Sequence, residues 1–187
     1  FGIESGSDKI LKLIKKGFKS DDAFKTVKKA KKYIRSVDAF YVWGFPFETI
    51  DDFNQSVFQM ISLRGMGIRI LPSLLTFLPQ TEIYKSLPDK KVLEFSPYLL
   101  PEYMVIGLEN RLSIRIKIHE NYIDFFNFIK SNMDIFPGFF SYDIEGNVIP
   151  KLEILEEFDF YNKDMDDSCG AHSPELIEEK LTLQVPD

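Results

Sequence analysis

The stretch Ala39 to Thr49, AFYVWGFPFET, decides the fold. Residues 39–45 are aromatic and β-branched without clean alternation, which predicts a strand buried on both faces. Pro46 ends it, because proline brings no N–H to a ladder. Thr49-Ile-Asp-Asp52 reads as a capping box with Asp in place of the usual Glu or Gln. The helix it opens, over 50–64, turns Phe53, Val57, Met60 and Ile61 inward, and Gly65 and Gly67 break it. Residues 68–77, IRILPSLLTF, follow as another strand.

The upstream sequence repeats the alternation. Residues 1–5, FGIES, read as a short buried strand, and Gly6-Ser7 turns the chain. Ser7 is expected to cap a helix with Asp8 in its first turn. Ile10, Leu11 and Ile14 share one face of it, and Gly17 is expected to close it as the C′ residue. Ser20 is expected to cap a second helix, with Asp21 and Asp22 in its first turn. Phe24, Val27, Ala30 and Ile34 form that helix's apolar stripe, opposite a row of lysines that reads as a solvated face, with a phosphate-binding patch as the alternative. Residues 1–78 therefore run strand, helices, strand, helix, strand, which predicts a parallel α/β sheet with right-handed crossovers. Ligands of such sheets lie beyond the carboxyl ends of the strands. Glu4-Ser5, Gly44 to Glu48 and Thr76 to Thr81 are thus expected on one rim.

Composition sets outer bounds. A 44% hydrophobic content is ample for a core and argues against disorder over most of the 187 residues. The balance of 23 basic against 29 acidic side chains, net −6, disfavours a general nucleic-acid binder. One cysteine excludes an intrachain disulfide framework and a cysteine-only metal site. No apolar run is long enough to span a membrane, and a reducing cytoplasm is the expected location. The chain opens on Phe1 directly in a strand-like pattern, which reads as a piece of a longer protein.

Beyond residue 88 the pattern changes. Residues 101–133 read as mostly helical, with breaks near Gly107 and Glu120 and a dense apolar stretch at Tyr122, Phe125, Phe126, Phe128 and Ile129. Residues 139–143 and 147–152 read as a hairpin around Glu145-Gly146-Asn147. The expected organisation is 1–88, 89–162 and an acidic tail over 163–187, where Ser173-Pro174 would cap a last helix.

Three loops carry the chemical signal: Gly2-Ile3-Glu4-Ser5-Gly6-Ser7 with a helix ending Lys16-Gly17, Trp43-Gly44-Phe45-Pro46-Phe47-Glu48-Thr49, and Leu78-Pro79-Gln80-Thr81-Glu82-Ile83-Tyr84. In this order and spacing they resemble the second half of the radical S-adenosylmethionine (SAM) barrel, in the branch that includes many cobalamin-binding members. The resemblance covers residues 1–85. It departs at Phe47 and Gln80, where the family has glycine. It implies the last three parallel strands of a partial (βα) barrel followed by an accessory region. It also implies a parent enzyme that binds SAM for radical chemistry on an unidentified substrate, with a [4Fe–4S] cluster in the missing N-terminal half. Cobalamin in the parent is left open.

The chemistry of SAM suits these positions. A carboxylate and a hydroxyl at a strand end match an ammonium and ribose hydroxyls, so Glu4 and Ser5 are the first candidates. Lys16 sits where related enzymes place a basic residue that reaches back to the carboxylate. It reads equally as a cation on the helix dipole. Gly44 lets backbone approach a ligand. Val42, Trp43 and Leu75 to Phe77 are the adenine walls the resemblance implies, and Glu48 either supports the loop or favours the helix N-terminus. The defining C-x-x-x-C-x-x-C loop is not in this sequence, and three thiolates are needed to hold the cluster. The chain alone is therefore not expected to be active.

Other constellations are weak. Cys169-Gly-Ala-His172 offers two ligands in an acidic segment, and His119-Glu120 lacks a second histidine at metalloprotease spacing. No G-x-S-x-G or Walker A pattern occurs. The rival class is a non-catalytic binding or scaffold module built on the same barrel half. A half barrel would leave one edge of its first strand unpaired, so the chain is expected to cover it with its C-terminal segment or by self-association.

Overall fold

The structure, a computed structural model, describes residues 1–87, 89–99, 108–109 and 117–160. The expected tail over 163–187, with Cys169, His172 and the Ser173 cap, and the expected break at Gly107 lie outside the described residues. The chain divides into two compact units, one of residues 1–75 with 157–160, the other containing residues 76–156.

The first unit is α/β. Strands β1 (Gly2–Glu4), β2 (Asp38–Trp43) and β3 (Arg69–Leu74) form a parallel sheet in the order β1-β2-β3. Helices α1 (Asp8–Leu13) and α2 (Ser20–Lys31) connect β1 to β2, and α3 (Ile50–Gly65) connects β2 to β3. This is the alternation expected from the sequence; among the described residues no closed barrel is formed. Ala39, Tyr41 and Trp43 point to the covered face, where Trp43 meets Phe53 of α3 with ring centres 6.1 Å apart. Tyr41 donates to Gln59 Oε1 at 2.7 Å, and Gln59 Nε2 donates to Ser20 Oγ at 2.8 Å, tying α3 to the start of α2. Burial pushes the Tyr41 hydroxyl far above its ordinary pKa.

β2 is not buried on both faces as expected. Phe40 is 45% exposed and Val42 half-buried, so the strand does alternate and one face of the sheet is less covered. Aromatic residues on both faces hid the period. At the far end of the sheet Arg69 grips Asp38 with two hydrogen bonds of 2.9 and 2.7 Å, which lowers the Asp38 pKa. Among the described residues no strand pairs with the outer side of β1.

Helix boundaries carry two corrections. α1 closes in a Schellman motif on Lys15, not Gly17: Lys16 N–H reaches Leu11 O at 2.9 Å, Lys15 N–H reaches Lys12 O at 3.1 Å, and Lys15 takes φ +60°. Ser20 is the first residue of α2 and does not cap it; its N–H donates to Asp8 Oδ1 at 2.8 Å across a turn. Ser7 caps α1, and Thr49 and Asp52 form the expected capping box of α3. Gly67, at φ +75°, ends α3 in a second Schellman motif.

The second unit holds α4 (Glu82–Lys85), β4 (Leu93–Phe95), β5 (Leu108–Glu109), β6 (Lys117–Ile118), α5 (Ile123–Ser131) and β7 (Phe140–Tyr142), then a π-helical turn at Ile144–Val148 and α6 (Ile149–Glu157). Of the helix expected over 101–133, the described residues show α5, whereas at 108–109 and 117–118 the chain is strand, β5 pairing antiparallel with β6. The alternation Ile114-Arg115-Ile116-Lys117-Ile118 is a period-2 signal that argues for this. The expected 139–152 hairpin is also absent. Its first arm, β7, pairs antiparallel with β4, and its second arm is helical. Ile144, Val148, Leu152 and Leu155 recur at helical spacing and are all buried. Pro150 is tolerated in the first turn of α6. Within the aromatic stretch, Phe126 and Ile129 are buried, whereas Phe125 and Phe128 are exposed.

Candidate functional site

The carboxyl ends of the three parallel strands place Glu4-Ser5, Trp43-Gly44 and Leu75 at one edge of the first unit. Register fixes this: Glu4 lies beside Tyr41, Trp43 beside Leu74, and Leu75 N–H donates to Trp43 O at 2.8 Å.

Glu4 is the most distinctive residue here. It leaves β1 at φ +70°, a conformation rare for a residue with a Cβ, and its register to β2 is irregular at this point. Its carboxylate Oε1 accepts from Lys16 Nζ at 2.9 Å, with both side chains partly exposed. Lys16 comes from the C″ position of the Schellman turn, so the left-handed Lys15 swings it back toward the strand end. Gly2 leaves the space: a Cβ there would sit 2.7 Å from Glu4 Oε1 and 3.9 Å from Lys16 Nζ. Backbone strain, a glycine gap and a bridging cation thus converge on one carboxylate. Such strain persists only where the surrounding structure imposes it, and it concentrates at functional sites.

Ser5 is fully buried. Its Oγ shares a 3.1 Å hydrogen bond with Ser56 Oγ and accepts from Ser7 N–H at 3.1 Å. Gly6 N–H donates to Ser56 Oγ at 2.8 Å. A Cβ on Gly6 would lie 2.5 Å from Gln55 O and 2.7 Å from Ser56 Cα, so this loop rests directly on the backbone of α3. Ser5 therefore fixes the loop that presents Glu4.

A carboxylate that the sequence marked only as a cap completes this anchor. Asp52 is buried and accepts from Ser7 Oγ at 2.9 Å, Lys9 Nζ at 2.6 Å and Thr49 Oγ1 at 2.7 Å. Burial alone would raise its pKa. The hydrogen bonds from Lys9, Thr49 and Ser7 outweigh burial and hold the pKa at about 2. Ser7, Lys9 and Ser56 were missed because their partners lie 43 to 51 residues away in the chain. The small-residue run Ser5-Gly6-Ser7 was the only local signal.

The second loop is internally braced. Gly44, at φ +84°, donates its N–H to the buried Glu48 carboxylate at 2.9 Å, and Glu48 N–H returns to Phe45 O at 3.0 Å. Glu48 thus supports the loop, one of its two expected roles. Of the residues expected to wall an adenine, Trp43 turns its ring to α3, whereas Val42 lies on the less covered sheet face beside exposed Ser73, and Leu75 is half-buried. Phe77 belongs to the second unit and is fully buried there, its ring 6.2 Å from that of Tyr84.

Among the described residues no group of three or more His, Cys, Asp or Glu side chains could hold a metal ion, and no helix is long and apolar enough to cross a membrane. No protein-family model matches the chain, and no curated protein matches it.

Proposed function

We propose that this chain is the C-terminal half of a radical SAM barrel, in which Glu4 receives the ammonium of SAM at the carboxyl end of β1. The observation that carries this is the Glu4–Lys16 pair. A strained strand-end glutamate, given room by Gly2 and bridged at 2.9 Å, is a built arrangement for a cationic ligand group. Oε2 of Glu4 has no hydrogen-bond partner among the described residues, which leaves an acceptor for that ammonium. Supporting it, the three motif loops keep the order and spacing of that family.

In this account SAM and its iron–sulfur cluster supply the radical chemistry, and the cluster ligands lie outside this sequence. The residues described here bind and orient. Lys16 holds Oε1 and fixes the carboxylate, Ser5 and Gly6 seat the loop on α3, and Gly44 with Glu48 shapes the adjoining turn. Substrate and any cobalamin belong to the parent protein. The coding sequence upstream of Phe1 tests the assignment: a C-x-x-x-C-x-x-C loop after a strand supports it, and an initiator methionine directly before Phe1 overturns it.

A non-catalytic module on the same scaffold is favoured by a different observation. The Ser5 hydroxyl and the Gly44 N–H, two of the groups expected to meet SAM, are already hydrogen-bonded within the protein.

A further inference from the structure

We propose that the outer face of α2 binds single-stranded nucleic acid, with Lys28, Lys29 and Lys32 on the phosphates and Tyr33 stacked under a base. This surface is independent of the SAM assignment.

Charge is divided unevenly along the chain. Residues 1–35 hold 11 of the 23 basic side chains and only 4 of the 29 acidic ones, so the net −6 conceals a basic segment. Part of that charge is used within the fold: Lys9 pairs with Asp52, Lys16 with Glu4 and Lys25 with Asp21. Lys28, Lys29, Lys32 and Arg35 are exposed and have no ion pair among the described residues.

Helical spacing sets the lysines in a row. Lys25, Lys28, Lys29 and Lys32 recur at i, i+3, i+4 and i+7, and Val27, the buried residue of α2, lies on the opposite side. The row is about 10 Å long, the length of about three phosphates of a stacked strand. Hydrogen bonds from Tyr33 N–H and Ile34 N–H to Ala30 O, both 2.9 Å, continue the turn past α2 and set Tyr33 one turn beyond Lys29. Lys31 Nζ closes that turn on Arg35 O at 3.0 Å. Tyr33 is 80% exposed, a flat ring at the end of a cationic row.

These features select the partner. An exposed aromatic ring beside lysines suits a base that is already unstacked, so a single strand fits and a duplex does not. The row holds lysine alone, without Asn, Gln or Arg to read base edges, so the contact is to the backbone and is blind to sequence. A membrane surface would need a wide apolar face, and that of α2 is turned inward on Val27.

Fluorescence anisotropy of a short labelled single strand of mixed sequence, titrated with the full chain across a salt series, tests this. Wild type is expected to bind, with log affinity falling against log salt at a slope of about −2, as three lysine contacts require. K29E/K32E is expected to weaken binding about tenfold or more and to flatten the slope to about −1. Y33A is expected to weaken it about fivefold or more with the slope unchanged. K91E/K130E makes the same change of net charge on exposed lysines of the second unit and is expected to leave affinity within about twofold. All these side chains are exposed, and far-UV circular dichroism checks that each variant is folded. A wild type that fails to bind at low salt overturns the proposal. So does an equal loss in K91E/K130E and K29E/K32E, which would make the attraction diffuse. Affinity unchanged in Y33A, or tighter binding of a duplex, a polyglutamate peptide or an anionic phospholipid vesicle than of the single strand, overturns the choice of partner.

Discussion

Replacing Gly6 by alanine should loosen the first unit and displace its rim. The new Cβ would meet Gln55 O at 2.5 Å, Ser56 Cα at 2.7 Å and Gln55 C at 2.8 Å, all of them backbone atoms of α3. Ordinary contact begins near 3.4 Å, so the loop and helix must part by about 0.9 Å. That shift stretches the Gly6 N–H bond to Ser56 Oγ from 2.8 Å and the Ser5–Ser56 bond from 3.1 Å toward the limit of hydrogen bonding. Overpacking costs about 1–3 kcal/mol, and each weakened buried hydrogen bond adds about 1 kcal/mol. The expected loss is about 3 kcal/mol, a large part of the roughly 5–15 kcal/mol that holds a domain folded. Trp43, the only tryptophan, is buried against Phe53 in this unit, so urea unfolding followed by its fluorescence reads the change directly. Gly17→Ala is the control, because nothing lies within 4 Å of its added Cβ. It should move stability by no more than about 0.5–1 kcal/mol. A Gly6→Ala loss below about 1 kcal/mol, or an equal loss in Gly17→Ala, would refute the seating of this loop on α3.

Further outcomes follow from the same unit. Asp52, with its pKa held at about 2 against an ordinary 3.8, contributes stability that is present above pH 4 and lost as pH falls toward 2. Asp52→Asn should lower stability at neutral pH by roughly 2 kcal/mol and flatten the acid limb of the stability–pH curve; Trp43 fluorescence during acid titration checks this. Lys15→Gly should raise the unfolding midpoint by roughly 0.5–1 kcal/mol equivalent, since it relieves a left-handed φ of +60°. In the second unit, Tyr84 donates to Asp134 at 2.8 Å, and burial with that carboxylate raises its pKa. Tyr84→Phe should cost about 1 kcal/mol, measured by amide exchange over α4 and residues 132–136.

The sheet was legible because its signals are local. AFYVWGF, the Thr49/Asp52 box and Gly67 each act within a few residues, and the structure keeps all three. The two strand–helix errors after residue 100 have different origins. Ile114 to Ile118 alternates and was overridden by the aromatic run that follows it. Glu145-Gly146-Asn147 has turn chemistry, but the buried row Ile144, Val148, Leu152 and Leu155 makes it the start of a helix. At the rim, Glu4 and Lys16 were named through the family resemblance and are paired by the structure. The inward turn of Ser5, the reach of Asp52 to Ser7 and Lys9, and the ring of Trp43 against α3 depend on contacts distant in sequence, which no local pattern encodes.

The most direct test of the account is a SAM titration of the intact protein by calorimetry, comparing wild type with Glu4→Ala and Lys16→Ala. Glu4→Ala removes the acceptor proposed for the ammonium and is expected to weaken SAM about tenfold or more. Lys16→Ala frees the carboxylate to move and is expected to weaken it less. Affinity unchanged in both variants would contradict the assignment of the Glu4–Lys16 pair as the SAM site.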